Sequence, residues 1–263
     1  MESSLTETIW FSEKRRKILL LLLDGPKDPE EMKTAFGVTW RSLILPLKEL
    51  KEEELICNTD GFYELSNIGK LIAENMKPIN GILDLFGKDT DYWVKRDLDS
   101  IPQYLLDRIG DLEDSTIIEP ELNDMFEPPE EFTRSLVNSK YVHSVFSIYH
   151  PLYPPLYNEL AEHGTEISII LTESVLERMH EDRQEELEKM QHSENINLFL
   201  YENESLPPSI VVTDNLFSAS FFDSQGMYDH RDIMSFSKSS LKWGEKLFRH
   251  YQKMSNSIPR SEG

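Results

Sequence analysis

Several things are scarce in this sequence, and each shortage removes a class of protein. There is one cysteine, Cys57, so no intramolecular disulfide framework can form and a reducing compartment is expected. The longest apolar run, residues 18–23, falls far short of the roughly 20 residues a membrane-spanning helix needs. No signal-peptide pattern is visible in the first residues, and the expectation is a cytoplasmic protein with no membrane partner. The Gly-x-Ser-x-Gly elbow, the phosphate-binding glycine loop and the dinucleotide fingerprint are all missing, so no catalytic residue is assigned and no enzyme is expected. The seven histidines are scattered. His143 and His150 have no Cys or carboxylate neighbours at metal-ligand spacing, and His180-Glu181-Asp182-Arg183 reads as part of a solvated polar helix. No metal and no cofactor are expected.

Positive charge is also short: 27 Lys and Arg face 48 Asp and Glu, for a net charge of −21 over 263 residues. Affinity for nucleic acid rests largely on neutralising phosphates, so this total argues against it at first sight. The distribution softens the objection. Residues 1–80 hold 11 Lys and Arg against 14 Asp and Glu, net −3, which leaves −18 to the rest. The length accommodates two domains, each with its own core.

What is present in the first eighty residues is a series of helix signals. Residues 12–23 carry Lys14, Arg15, Arg16 and Lys17 ahead of a leucine run that stops at Asp24-Gly25-Pro26. Asp28-Pro29-Glu30-Glu31 is the order a helix N-terminus favours: a cap, a first-turn proline and two acids. That helix should reach Phe36, with Gly37-Val38 as the turn. Thr39 is the expected cap of a third helix, with Leu43, Leu47 and Leu50 at helical spacing. Two short apolar segments, residues 55–57 and 62–65, flank an Asp60-Gly61 step, a strong hairpin signal. Ser66-Asn67 then caps a fourth helix running to about Gly87.

Helix, helix, turn, helix, hairpin, helix is the winged helix-turn-helix order, and the helix after the turn is the one expected in a DNA major groove. The run Phe36-Gly37-Val38-Thr39, Leu47-Lys48-Glu49-Leu50 and Gly61 to Gly69 resembles the common winged-helix regulator pattern. On this reading Thr39, Trp40, Arg41 and Ser42 face the groove, while Lys48, Lys51, Asn58 and Thr59 approach phosphates. Trp40 could equally pack against a neighbouring helix. Pro46 lies inside the proposed recognition helix and predicts a kink or early break over residues 41–45, because proline lacks the N–H donor and clashes one turn back.

Beyond Gly87 the chain is helical but irregular to about residue 139, with a break and a new helix at Glu127-Pro128-Pro129-Glu130. From Tyr141 strands and helices alternate: strands over 141–148, 166–171 and 195–201, helices over 155–163 and 173–190, a hairpin from 209–213 and 216–222, and a last helix over 239–254. The expected organisation is a DNA-binding domain at 1–87, a helical connector at 88–140 and an effector-sensing, dimerising domain at 141–263.

The ordered set Trp93, Arg96-Asp97-Leu98, Ile101-Pro102, Leu105-Leu106, Gly226-Met227-Tyr228-Asp229 and Leu241-Lys242-Trp243-Gly244 resembles archaeal winged-helix transcription regulators that carry the methanogenesis-regulatory, Fil-type middle domain. The likeness spans nearly the whole chain. It implies a regulator from an archaeon, a methanogen by this resemblance, and a second domain distantly like the phospholipase-D-like sheet, although the His-x-Lys hydrolytic signature is missing. The fold class is therefore α/β: an N-terminal winged helix-turn-helix and a C-terminal sheet domain of phospholipase-D-like or Rossmann-like kind.

In such sheets ligands bind outside the carboxyl ends of parallel strands. Those ends place Tyr149, His150, Thr172 and Tyr201 as candidate effector contacts, although the prolines and tyrosines of residues 150–157 could simply shape a strand-to-helix connection. The expected partners are double-stranded DNA, a small-molecule effector and a second copy of the chain, bound across half-sites about 34 Å apart. A winged-helix protein-interaction adaptor is the alternative, since the heavy acidity would permit it.

Overall fold

The computed structural model describes residues 4–120 and 127–260, and the chain divides into two units, Met1–Asn80 and Gly81–Gly263. Capping chemistry sets the helices of the first unit. Ser4 forms a reciprocal capping box with Glu7 and opens α1 (Leu5–Trp10). Ser12 accepts from the Arg15 N–H and opens α2 (Glu13–Leu21), which tightens into a 3₁₀ turn at Leu22–Asp24. Asp28 repeats the capping box with Glu31 and, with Pro29 in the first turn, opens α3 (Pro29–Phe36). Gly37 ends it at φ 60°, a left-handed conformation that costs glycine nothing.

Two expectations for α4 (Arg41–Glu52) are corrected. Trp40, not Thr39, occupies the cap position and no side chain caps this helix; the Thr39 carbonyl instead accepts both the backbone N–H and the hydroxyl of Ser42. Pro46 does not break the helix. The carbonyl that proline leaves without its N–H partner belongs to Ser42, one turn back, and Lys14 Nζ donates to it at 3.4 Å from α2. Leu43, Leu47 and Leu50 are buried against Ile18, Leu19 and Met32, so burial of the apolar stripe holds the helix through the proline. Strands β1 (Ile56–Thr59) and β2 (Phe62–Leu65) form an antiparallel hairpin. Its turn residues Asp60 and Gly61 have φ of 53° and 91°, the left-handed pair that a two-residue hairpin turn of type I′ demands. Helix α5 (Asn67–Lys88) then carries the chain into the second unit.

The second unit is built on one eight-stranded sheet. After α6 (Thr90–Trp93) and α7 (Gln103–Leu106) come β3 (Thr116–Ile118), α8 (Glu130–Val137), β4 (Tyr141–Phe146), α9 (Tyr153–Glu162) and β5 (Glu166–Thr172). There follow α10 (Glu173–Asp182), α11 (Gln184–His192), β6 (Ile196–Tyr201), β7 (Ser209–Thr213), β8 (Phe217–Ser220), β9 (Asp232–Ser235), α12 (Lys238–Lys253) and β10 (Asn256–Ser257). The strand order is β10-β6-β5-β4-β7-β8-β9-β3. Pairs β4–β5 and β5–β6 are parallel, and every other pair is antiparallel.

Side chains alternate across the sheet with the strand period of two. Val145, Ile170, Ile210, Phe217 and Ile233 lie on one face and pack with Trp243, Leu247 and Phe248 of α12. Phe146, Ile169, Leu198, Val211 and Met234 lie on the other and pack with Tyr157, Met179 and Met190 of α9, α10 and α11. The stretch expected as a connector is part of this unit: Trp93, Leu105 and Ile109 enter the α12-side core, and β3 closes one sheet edge. The charged helix expected over residues 173–190 is two helices, interrupted at Arg183, where φ −145° and ψ 41° leave the helical region.

Candidate functional site

Two places gather the chemistry. In the first unit, Thr39, Arg41, Lys48, Lys51, Asn58 and Thr59 are exposed, and Trp40 and Ser42 are half-buried. Trp40 sits 5.9 Å from the Tyr63 ring, which ties the start of α4 to the hairpin. Most basic side chains of this unit are engaged: Arg15 with Glu49, Lys17 with Glu13, Lys33 with Glu30, Lys48 with Glu52 at 3.5 Å. On α4, Arg41 and Lys51 form no ion pair among the described residues. Ile44 and Leu45, one turn beyond Arg41, are at least half exposed, and Phe62 at the hairpin tip is also exposed. Reading the sequence for charge alone passed over these apolar positions, since Ile44 and Leu45 adjoin the buried leucines and look like core.

In the second unit a cavity of about 360 Å³ opens at the carboxyl end of β4, where the parallel half of the sheet meets the antiparallel half at β7. Its walls come from the ends of β3, β4, β7, β8 and β9 and from α8 and the loop after β4. Tyr149 and His150 line it. The His150 ring stacks on Tyr153 at 4.5 Å, and its Nδ1 accepts the Leu152 N–H at 3.3 Å. Thr172 and Tyr201 do not reach it. Thr172 is buried directly before α10, its hydroxyl donating to the Phe146 carbonyl, so no loop diverges there. Tyr201 belongs to the opposite face, with its hydroxyl 2.7 Å from Ser205 Oγ and its ring edge-on to Tyr251.

The sequence reading missed Ser218, Ser220, Tyr228, His230 and Asp232, all on the cavity wall. The signal was present: in Phe217-Ser218-Ala219-Ser220 and Asp232-Ile233 the apolar side chains keep one face, and small or polar ones occupy the face where the second core should continue. Tyr228 donates to Asp232 Oδ1 at 2.8 Å, and Ser220 adds a second hydroxyl partner. Burial pushes the Asp232 carboxyl above its ordinary range even against these bonds. Burial likewise pushes up the Tyr153 and Tyr228 phenols. His230 holds a left-handed backbone at φ 61°, uncommon for a residue with a Cβ.

The segment carrying Tyr228 and His230 is anchored from below. Arg96, whose side chain is 1% exposed, places Nη2 2.5 Å from Asp229 Oδ2, and Arg231 Nη2 lies 2.8 Å from the same oxygen. Both guanidinium groups sit over the Tyr92 ring, at 4.0 and 5.2 Å. The Asp97 N–H donates to the Phe222 carbonyl at 2.8 Å. Two stretches far apart in the chain, Arg96-Asp97-Leu98 and Gly226-Met227-Tyr228-Asp229, therefore meet beside the cavity.

Known proteins bear on this arrangement. The family described as methanogenesis regulatory protein FilR1 matches twice, its N-terminal domain over residues 6–84 and its middle domain over residues 125–254. The chain belongs to the FilR1 family. The methanogenesis regulatory protein FilR1 of Methanothrix harundinacea (strain 6Ac) is 22% identical over 256 residues, which is 95% of this chain and 57% of that protein. The chain thus spans little more than half the length of that FilR1 relative. Among solved structures, TrmBL2, an archaeal chromatin protein with a novel mode of DNA binding, aligns at a TM-score of 0.43 and 11% identity, covering 96% of this chain and 97% of that one. Nuc, a phospholipase D family member from Salmonella typhimurium, aligns at a TM-score of 0.38 and 11% identity, covering 55% of this chain and 99% of its own. The first FilR1-family match includes α4 and the hairpin, and the second includes most of the cavity wall.

Proposed function

We propose that this FilR1-family chain is a transcription regulator whose first unit is a winged helix that binds duplex DNA and whose second unit senses a small-molecule effector. The observation that carries the DNA half is the start of α4: Arg41 is exposed, lacks an acidic partner among the described residues, and stands next to a hairpin with exposed Asn58 and Thr59. A helix presented this way places its first turn at base edges and its hairpin along the backbone. Support for a homodimer comes from α5, where Ile68, Leu71 and Ile79 are exposed apolar side chains on one side of the helix. Support for effector sensing comes from the cavity, whose size and mostly apolar walls suit a metabolite. No catalytic step is part of this reading, and the compartment is the cytoplasm.

Ile44 and Leu45 favour a second reading, a winged-helix adaptor that binds another protein through this face. Fluorescence anisotropy with duplexes selected from a random pool separates the two. Arg41→Ala should weaken binding of a selected duplex about 10- to 100-fold, the loss of one good base or phosphate contact. Unchanged affinity removes Arg41 from the interface, and failure to select any duplex favours the adaptor. For the sensing half, a metabolite panel should release selected DNA from the wild-type chain and not from Ser218→Trp, which fills the cavity.

A further inference from the structure

We propose that the cavity is built for a small organic amine in its protonated form, with the ammonium at Asp232 and the carbon skeleton against the tyrosine and phenylalanine rings. This rests on the effector reading above and narrows it to a chemical class. Among the described residues the wall carries two carboxylates, Asp232 and Glu127, and neither lysine nor arginine. Asp232 forms no ion pair among the described residues, and its hydrogen-bond partners there are the hydroxyls of Tyr228 and Ser220. A carboxylate held away from water, with two hydroxyl partners and one imidazole nearby, is costly, and a cation arriving with its own N–H donors relieves that cost.

The remaining wall fits the same class. Tyr149, Tyr153, Tyr228, Phe132 and Phe146 line the space, and aromatic faces attract ammonium groups while offering apolar area to a carbon chain. Among the described residues of the wall the basic groups are the imidazoles of His150 and His230. His150 already accepts a backbone N–H through Nδ1, and His230 acts electrostatically on Asp232. A phosphate or carboxylate effector would meet two acids and no guanidinium. Residues 81–263 also carry nearly all of the net −21 charge, which draws cations and repels anions. The placement is not an accident of a polar surface: Ser218, Ser220 and Asp232 take the positions on the sheet face where Phe146, Val211 and Met234 form core, so polar groups stand where continued packing would need apolar ones.

The test is the melting temperature of the full chain with phenethylamine, tyramine and putrescine, against phenethyl alcohol and phenylacetate as neutral and anionic isosteres of the first. At ten times its Kd a ligand that binds only the folded chain raises Tm by about 3–6 °C. The expected result is a rise with at least one amine, no comparable rise with the alcohol or the acid, and loss of the amine effect in Asp232→Asn and in Ser218→Trp. An equal rise with phenethyl alcohol, or an amine effect that survives in Asp232→Asn, overturns the proposal. A rise with phenylacetate alone overturns the amine class while leaving an effector cavity in place. No rise with any of the three amines also overturns the class, and the effector reading is then decided by the metabolite panel and the Ser218→Trp variant.

Discussion

Arg96 and Asp229, 133 residues apart, show how a single contact can be asymmetric in energy. The arginine side chain is almost wholly buried, whereas Asp229 is 38% exposed and keeps Arg231 as a second partner. Removing the arginine therefore leaves a carboxylate that water and Arg231 still serve. Removing the carboxylate leaves a guanidinium out of water beside a second one. Asp229→Leu should cost about 3 kcal/mol and Arg96→Met about 1 kcal/mol in urea unfolding, and equal losses would contradict this account. Burial raises the Asp229 pKa, but hydrogen bonds from Arg96 and Arg231 and their charges together hold it below its ordinary range. A depressed carboxylate pKa contributes stability that is present at neutral pH and lost as pH falls through and below that range, so the acid limb of stability should be shallower in Asp229→Leu. Both stretches were visible in the sequence as parts of one resemblance. Their pairing was not, because nothing local in either names a partner so far along the chain. The alternation around Asp232 was local and legible, but its pairing with Ser220 was not.

At the scale of elements, the junction of hairpin and helix turns on Gly69. A Cβ there would lie 1.9 Å from the Leu55 carbonyl oxygen and 2.9 Å from its carbon, backbone atoms fixed by the buried Leu55 side chain and by the Ser66 N–H that donates to that oxygen. Gly69→Ala must push α5 away from Leu55, and a loss of about 3 kcal/mol is expected, at the upper end for overpacking. Gly87 in the same helix has nothing within 4 Å of its would-be Cβ, so Gly87→Ala should gain up to about 1 kcal/mol from helix propensity. Thermal or urea unfolding of the two variants checks both signs, and a stable Gly69→Ala would remove the close approach. The Ser66-x-x-Gly69 step was legible as a cap, since Ser66 Oγ does accept the Gly69 N–H at 3.0 Å. The steric reason for the glycine was not. Helices with their own caps and the Asp60-Gly61 turn were readable for the same local reason. The short strands β3, β9 and β10 were not, being two to four residues long and defined only by distant partners, as in the pairing of Thr116 with Met234.

For the whole molecule the governing fact is the uneven charge, −3 on residues 1–80 against −18 on the rest. If it binds duplex DNA as proposed, the chain cannot rely on a broad basic surface. It must use a few cations, and the exposed lysines of α4 proposed to meet phosphates are Lys48 and Lys51. Lys48 is held by Glu52 at 3.5 Å and has to exchange that exposed partner for a phosphate, a trade of low cost because exposed pairs contribute little. Lys51 has no such competitor among the described residues. In a homodimer these two positions neutralise about four phosphates, which sets a slope of log K against log salt near −4. That is shallow for a specific duplex binder, and it follows from the acidity of the chain. Lys51→Gln should reduce the slope by about 2, one contact in each protomer, while weakening selected and unselected duplexes alike. Anisotropy titrations across a salt series measure both quantities. An unaltered slope in Lys51→Gln would show that phosphates are met elsewhere, and a steep wild-type slope would show that the acidic unit does not dominate the field at the DNA.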